Sequence, residues 1–489
     1  MRWNWCAAKM TVRRLPLTVR KPSWTRIATA WLPFADAASD DLPLGRLLRL
    51  ALFQVSVGMA TVLLNGTLNR VMIVELKIPA WLVAPLIALP LLAAPFRALI
   101  GHKSDTHRSL LGWRRVPYIW FGTLMQFGGL AIMPFALLLI GQPDTEMAGI
   151  AAGALAFILT GTGMHTTQTA GLALATDLAR EEDRPRTVAL LYVMLLVGMM
   201  LSSLVIGALL VDFSPTRLVG VIQGAAVLTM LFNLCALWKQ EARHSAPIEV
   251  VALARLPFAH VWRGFVAERN AMRLLVAIGL GAAAFAMQDA LLEPYGGEIL
   301  GLTVGATTGL TGAWALGALG GFALAGRSLT NGIDPLRLAG FGLAGGICAF
   351  LMVLFAAPLG SPALLAAGAL TIGLGVGLFS VGTLVAAMAL ARGGASGLAL
   401  GAWGAVQASA AGLAIALGGI ARDLIASLAV ADGLGATLAL RSTGYSAVYL
   451  IEILLLLVTL AVIGPLVGRD RILPPAGTSR RFGLTEFPT

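Results

Sequence analysis

Charge is what this sequence has least of. Of its 489 residues, 12% are Asp, Glu, Lys or Arg, against 58% that are hydrophobic. A soluble domain carries about 25% charged residues, so a chain this long could not clothe a water-facing surface. Cysteine is scarce: Cys6, Cys235 and Cys348 form no CxxC pair, and only five histidines accompany them. That excludes a disulfide framework and a zinc centre, and no protein-ligated metal site is expected. The sequence also lacks a P-loop, an HExxH, a GxSxG and any pair of Asp-rich motifs of the kind that holds a magnesium diphosphate. These absences exclude an ATP-driven machine and leave enzyme activity unsupported, so the chain reads as not an enzyme. No apolar core precedes residue 40, so no cleavable signal peptide is expected and the first long apolar run serves as the insertion signal.

What is present is a series of apolar runs. A helix needs about 20 such residues to cross a bilayer. Runs that satisfy this lie near 46–68, 80–100, 117–140, 147–176, 187–211 and 217–238. A second set lies near 272–295, 302–325, 336–358, 362–390, 396–429 and 443–467. The fold class is therefore an all-α integral membrane protein of about twelve transmembrane helices. With the N-terminus in the cytoplasm, all of the 35 Lys and Arg except Arg70, Lys77, Arg217, Arg422 and Arg441 fall on the cytoplasmic side. That asymmetry is the orientation signal of a multi-pass protein with both termini cytoplasmic. It also accounts for the formal charge of +11 without nucleic acid, leaving the lipid membrane as the partner of the basic loops.

The organisation expected is a basic N-terminal segment (1–43), a six-helix bundle (44–238), a cytoplasmic linker (239–270), a second six-helix bundle (271–467) and a cytoplasmic tail (468–489). Trp24, Ile27, Trp31 and Leu32 share a helical face, as do Phe258, Val261, Trp262 and Phe265, each beside arginines. Both stretches read as segments lying on the membrane surface, with a plain flexible linker the alternative for the second. Two six-span halves joined by a central linker match the major facilitator architecture, whose halves are structural repeats.

The connection after the second span carries Gly101, Asp105, Arg108, Arg114 and Arg115, a partial match to the facilitator loop motif with Thr106 where a basic residue is usual. A turn that merely holds neighbouring spans is an equal reading of these charges. Pro85, Pro90 and Pro95 in the second span each remove a backbone hydrogen bond, which predicts a helix packed among others. Glycines four apart (Gly305/Gly309, Gly317/Gly321, Gly373/Gly377, Gly397/Gly401) predict close helix contacts.

Polar residues at membrane depth are few, and each is a candidate site. His165 in the fourth span could ligate the magnesium of a chlorophyll, or be a histidine bonded within the bundle; Gln168 follows one turn later. Gln288, Asp289 and Glu293 close the seventh span, the two acids sharing a face at i and i+4. They are proton-site candidates, but their place near the non-cytoplasmic end favours solvated side chains. Gln54, Asn65, Asn233 and Gln407 read as interhelical hydrogen-bonding groups. Arg422 and Asp423 are spaced for a local ion pair.

Six strings stand out together. They are Leu32-Pro33-Phe34-Ala35-Asp36-Ala37, Arg49-Leu50-Ala51-Leu52-Phe53-Gln54-Val55-Ser56-Val57-Gly58-Met59, Leu68-Asn69-Arg70-Val71-Met72-Ile73-Val74-Glu75-Leu76, the stretch from Ile100-Gly101-His102 to Pro117-Tyr118-Ile119-Trp120, Thr167-Gln168-Thr169-Ala170-Gly171 with its continuation to Ala179, and Met287-Gln288-Asp289-Ala290-Leu291-Leu292-Glu293-Pro294-Tyr295-Gly296. Over roughly residues 30–467 the chain resembles the PucC/LhaA family of purple phototrophic bacteria, a branch of the major facilitator fold; the long N-terminal extension favours the LhaA-like branch. The resemblance implies an assembly factor for bacteriochlorophyll-containing light-harvesting antenna, with the core antenna around the reaction centre favoured, that holds or delivers bacteriochlorophyll (and carotenoid). It implies as partners the light-harvesting alpha and beta polypeptides, the reaction-centre antenna complex, and pigment-synthesis and membrane-insertion machinery. It implies residence in the bacterial inner (intracytoplasmic photosynthetic) membrane. The family's pigment site is not carried over to any residue here; His165 is a reading of this sequence alone. The competing expectation is a secondary transporter of a small solute.

Overall fold

The structure is a computed structural model, described over residues 42–92, 113–140, 142–180, 183–241, 270–390, 396–430 and 440–467. Both surface-lying segments, Pro95, Gly101, Asp105, Arg108 and the tail after 467 lie outside these residues. Among the described residues twelve helices follow one another: α1 (Leu44–Glu75), α2 (Ala80–Leu92), α3 (Val116–Ile140), α4 (Glu146–Leu178), α5 (Arg184–Leu209) and α6 (Pro215–Leu237), then α7 (Ala271–Glu298), α8 (Val304–Thr330), α9 (Pro335–Ala356), α10 (Pro362–Leu390), α11 (Ser396–Val430) and α12 (Thr443–Ile463). Eleven are long and apolar enough to cross a membrane; α2, described as far as Leu92, is a shorter apolar helix. Helical winding satisfies most of the backbone within each span, which is what a lipid-embedded chain requires.

The two halves repeat one packing pattern. In the first, α1 packs on α5 and α6, and α3 on α4 and α6; in the second, α7 packs on α11 and α12, and α9 on α10 and α12. Two seams join the halves, α2 against α11 and α5 against α8. Small residues make both seams possible. A Cβ at Gly305 would stand 2.4 Å from the Gly207 carbonyl oxygen, and one at Gly419 would stand 2.5 Å from that of Ala80. Of the other glycines singled out above, Gly317, Gly321, Gly373 and Gly377 form the α8–α10 contact, whereas Gly309 faces open space. Outward faces carry large apolar side chains such as Phe121, Phe135 and Leu204, which suits hydrocarbon as their solvent.

Two helices depart from regular winding, and both departures lie where the halves meet. The first span continues beyond residue 68: α1 widens into π-helical turns over Val62–Leu68 and Val71–Glu75, a local winding that often marks functional positions. In α7, regular winding stops at Ala286, tightens over Met287–Ala290 and resumes at Leu292–Glu298. Pro294 accounts for the break, since it has no N–H for the carbonyl of Ala290 and its ring collides with that group.

At the other end of the bundle, where α1 begins and α6 ends, Arg114 and Arg115 both bond Asp177 at the foot of α4, at 2.8 and 3.0 Å. Glu241, just after α6, accepts the backbone N–H groups of Arg114, Arg115 and Val116 at 2.7 to 3.2 Å. A carboxylate on the unsatisfied N–H groups that open α3 is a favourable cap. The arginines thus tie α3 to α4, and Glu241 ties α6 to both. Glu241→Ala is expected to lower stability by about 1 kcal/mol, read as a drop in thermal midpoint of the detergent-solubilised chain; an unchanged midpoint would deny the cap.

Candidate functional site

A small cavity of about 80 Å³ lies between the halves. Thr61 and Asn65 of α1 and Met199 of α5 face Gln288, Asp289, Leu292 and Glu293 of α7 and Thr311 and Trp314 of α8 across it. The irregular stretches of α1 and α7 position these groups, because widened or broken turns re-aim side chains that a regular helix would rotate away. Close approach of α1 to α8 depends on Gly66, where a Cβ would meet the Thr311 hydroxyl at 2.3 Å.

Polar contacts stitch the halves together here. The Glu293 carboxylate accepts from the Thr311 hydroxyl at 2.8 Å and, across the seam, from the Asn69 amide at 3.3 Å. Asn69 also donates to the Asp289 backbone carbonyl at 3.4 Å. Thr67 and Thr308 share a bond of 3.2 Å, and Ser203 donates to the Thr308 carbonyl. Gln288 donates to Asp289 and to the Phe285 carbonyl. Against the expectation that both acids are solvated, Glu293 is buried, at 5% exposed, while Asp289 keeps partial exposure on the cavity. Helix α7 continues to Glu298, which sets both acids a turn or more inside the bundle and beneath α1 and α8.

Glu452 of α12 escaped the sequence reading. It is fully buried, its carboxylate faces the Gln288 backbone N–H and the Asp289 side chain, and no donor comes within good hydrogen-bond geometry of either oxygen. The signal that could have found it is a single acid inside an otherwise apolar run of 21 residues. One turn away, Tyr449 packs edge-on against Tyr295 at 5.3 Å between ring centres. Tyr295 itself binds α9, donating to the Val353 carbonyl at 3.0 Å and accepting from the Ala357 N–H at 3.1 Å.

Beyond the cavity, towards the end of the bundle where α1 and α7 finish, two arginines close the seam. Arg70 pairs with Glu75 and donates to the Leu302 carbonyl at 3.1 Å. Arg422 pairs with Asp423 at 2.6 Å, as its spacing suggested, and also with Glu298 and the Tyr445 hydroxyl. Asp423 in turn accepts the Trp81 N–H of α2 at 2.8 Å.

The remaining candidates lie elsewhere. Gln168 donates to Gln54 at 3.2 Å inside the first half. There Asn233 bridges Ser56 and Thr123 at 2.8 and 2.9 Å, and Gln407 reaches Ser380 at 3.4 Å in the second half. His165, the one histidine among the described residues, sits half-buried on α4 and is not brought to the cavity. The cavity does not fit a tetrapyrrole: it has no imidazole, and pockets for ligands even of drug size run to about 300–1,000 Å³.

Among solved structures, a bacterial homologue of the human lysosomal transporter Spinster, in an inward-facing and unoccupied conformation, superposes with a TM-score of 0.67. It is 14% identical and covers 88% of this chain and 96% of its own. That likeness establishes the major facilitator fold. A Rhodobacter capsulatus protein named for the puhA-bchM intergenic region is 54% identical over 468 residues, 95% of this chain and 98% of that one. Protein PucC of Rhodovulum sulfidophilum is 56% identical over 402 residues, 79% of this chain and 88% of its own. The profile of the PUCC protein family matches residues 67–471, from the π-helical part of α1 to beyond α12, and the chain belongs to that family.

Proposed function

We propose that this protein is an assembly factor for bacteriochlorophyll-containing light-harvesting antenna, acting beside the alpha and beta antenna polypeptides in the photosynthetic inner membrane. The reading favours the core antenna around the reaction centre, cytoplasmic termini and no catalytic step of its own. The observation that carries it is membership of the PUCC family across residues 67–471, joined to the string resemblance described above. On α4, half-buried His165 is the candidate magnesium ligand, whose neutral imidazole would supply a nitrogen to the metal.

A strain lacking the protein is expected to lose assembled antenna while still making bacteriochlorophyll. The tagged chain, purified from native membranes, is expected to carry antenna polypeptides and pigment absorbance, with His165→Ala lowering the pigment at unchanged protein yield. Normal antenna in the deletion strain would overturn the reading, and unchanged pigment in His165→Ala would remove that residue from it. The transporter-like fold and the carboxylates at the seam favour one alternative, secondary transport of a small solute. Proteoliposome uptake abolished by substitution of Asp289 and Glu293 would support that instead.

A further inference from the structure

Three carboxylates converge at the break in α7 with no cation among them. Asp289 and Glu293 line the cavity, and no Lys, Arg or His lines it with them. Glu452 approaches from α12 against Gln288 and Asp289. The charged groups nearby on the packed helices are committed elsewhere: Arg70 of α1 to Glu75, and Arg422 of α11 to Glu298, Asp423 and Tyr445. Tyr295 is held by the backbone of α9. An unpaired carboxylate taken out of water costs several kcal/mol even after relaxation, and Asp289 and Glu293 at i and i+4 would repel each other as well.

The hydrogen-bond inventory shows what is missing. The Gln288 side-chain oxygen is a buried acceptor without a donor, the two Glu452 oxygens have only the Gln288 backbone N–H facing them and no well-aligned donor, and the nearby Tyr449 hydroxyl is buried without a partner. A carboxylate only accepts, whereas a carboxylic acid also donates, so a proton supplies the donor this cluster lacks. A metal cation would also neutralise the charge, but no group of three or more His, Cys, Asp or Glu among the described residues is arranged to hold one. We propose that Asp289, Glu293 and Glu452 form an internal proton-binding site that stays loaded at neutral pH. The site keeps the seam between the halves electrically neutral inside the bilayer, and it stands whether or not the chain serves an antenna.

Infrared absorption of the full chain in deuterated buffer and an ester-free detergent tests this, because exposed acids are ionised at neutral pH and give no protonated-carboxyl band. The wild type is expected to show that band at neutral pH and to lose it on alkaline titration. Glu452→Gln is expected to lose one component of the band, Glu452→Asp to shift it, and Asp289→Asn with Glu293→Gln to lose the remainder, all unaffected by added sodium chloride. A wild type with no band at neutral pH would overturn the proposal even if every variant failed to fold. So would a band untouched by all these substitutions, and a band abolished by sodium would assign the site to a metal cation.

Discussion

Gly317→Leu is expected to remove the folded protein from the membrane. A Cβ at Gly317 would stand 1.9 Å from the Leu370 carbonyl oxygen, and the reciprocal Cβ at Gly373 would stand 2.0 Å from that of Trp314. Both obstacles are backbone, so no rotamer change relieves them and α8 must move off α10. Overpacking alone costs about 1–3 kcal/mol. Here the cost is greater, because lipid tails are as apolar as the side chains and close packing is itself what holds membrane helices together. A loss of about 3 kcal/mol is a large part of the roughly 5–15 kcal/mol that stabilises a typical domain. Size-exclusion chromatography of the solubilised protein should show the monodisperse peak replaced by aggregate. Gly320→Leu, on the same helix with open space around its Cβ, is the control and should behave as wild type. Equal peaks from both variants would show that α8 and α10 are not in this contact.

Arg422→Met is the second large effect. The guanidinium is 15% exposed and lies between Glu298 and Asp423, which are 22% and 16% exposed. It also stands 4.5 Å over the Tyr445 ring. Removing it strands two largely buried acids, and breaking a buried pair from one side costs about 3–5 kcal/mol; partial exposure sets the expectation near about 3 kcal/mol. The thermal midpoint in detergent should fall by several degrees. Glu298→Gln added to Arg422→Met should recover much of the loss, because a neutral amide no longer needs a counter-charge. A double variant as unstable as the single one would mean that the arginine acts through packing alone.

The two effects differ in how far the sequence anticipates them. Glycines four apart on α8 and α10 announce a close contact, and the contact is there. The pairing of Arg422 with Asp423 follows from adjacency. Glu298 and Tyr445 join that pair from α7 and α12, 124 and 23 residues away, and no local pattern reports such a meeting. The acids of α7 were misread for a related reason. Their place near the non-cytoplasmic end of the run suggests water around Asp289 and Glu293. The chain instead winds on to Glu298 beyond the Pro294 break, and α1 and α8 close over it.

By itself, the sequence determined the spans, the two-half layout and the family, with its strings of unusual residues. Crossing a bilayer is a nearly one-dimensional requirement, met by run length and by charge at the ends of each run. The tertiary structure alone decided that Asn69, Glu293, Thr311 and Glu452 share one neighbourhood between the halves while His165 and Gln168 lie apart from it. Such meetings depend on how each helix is rotated and where two of them break their winding, and both are set by packing between segments more than 200 residues apart.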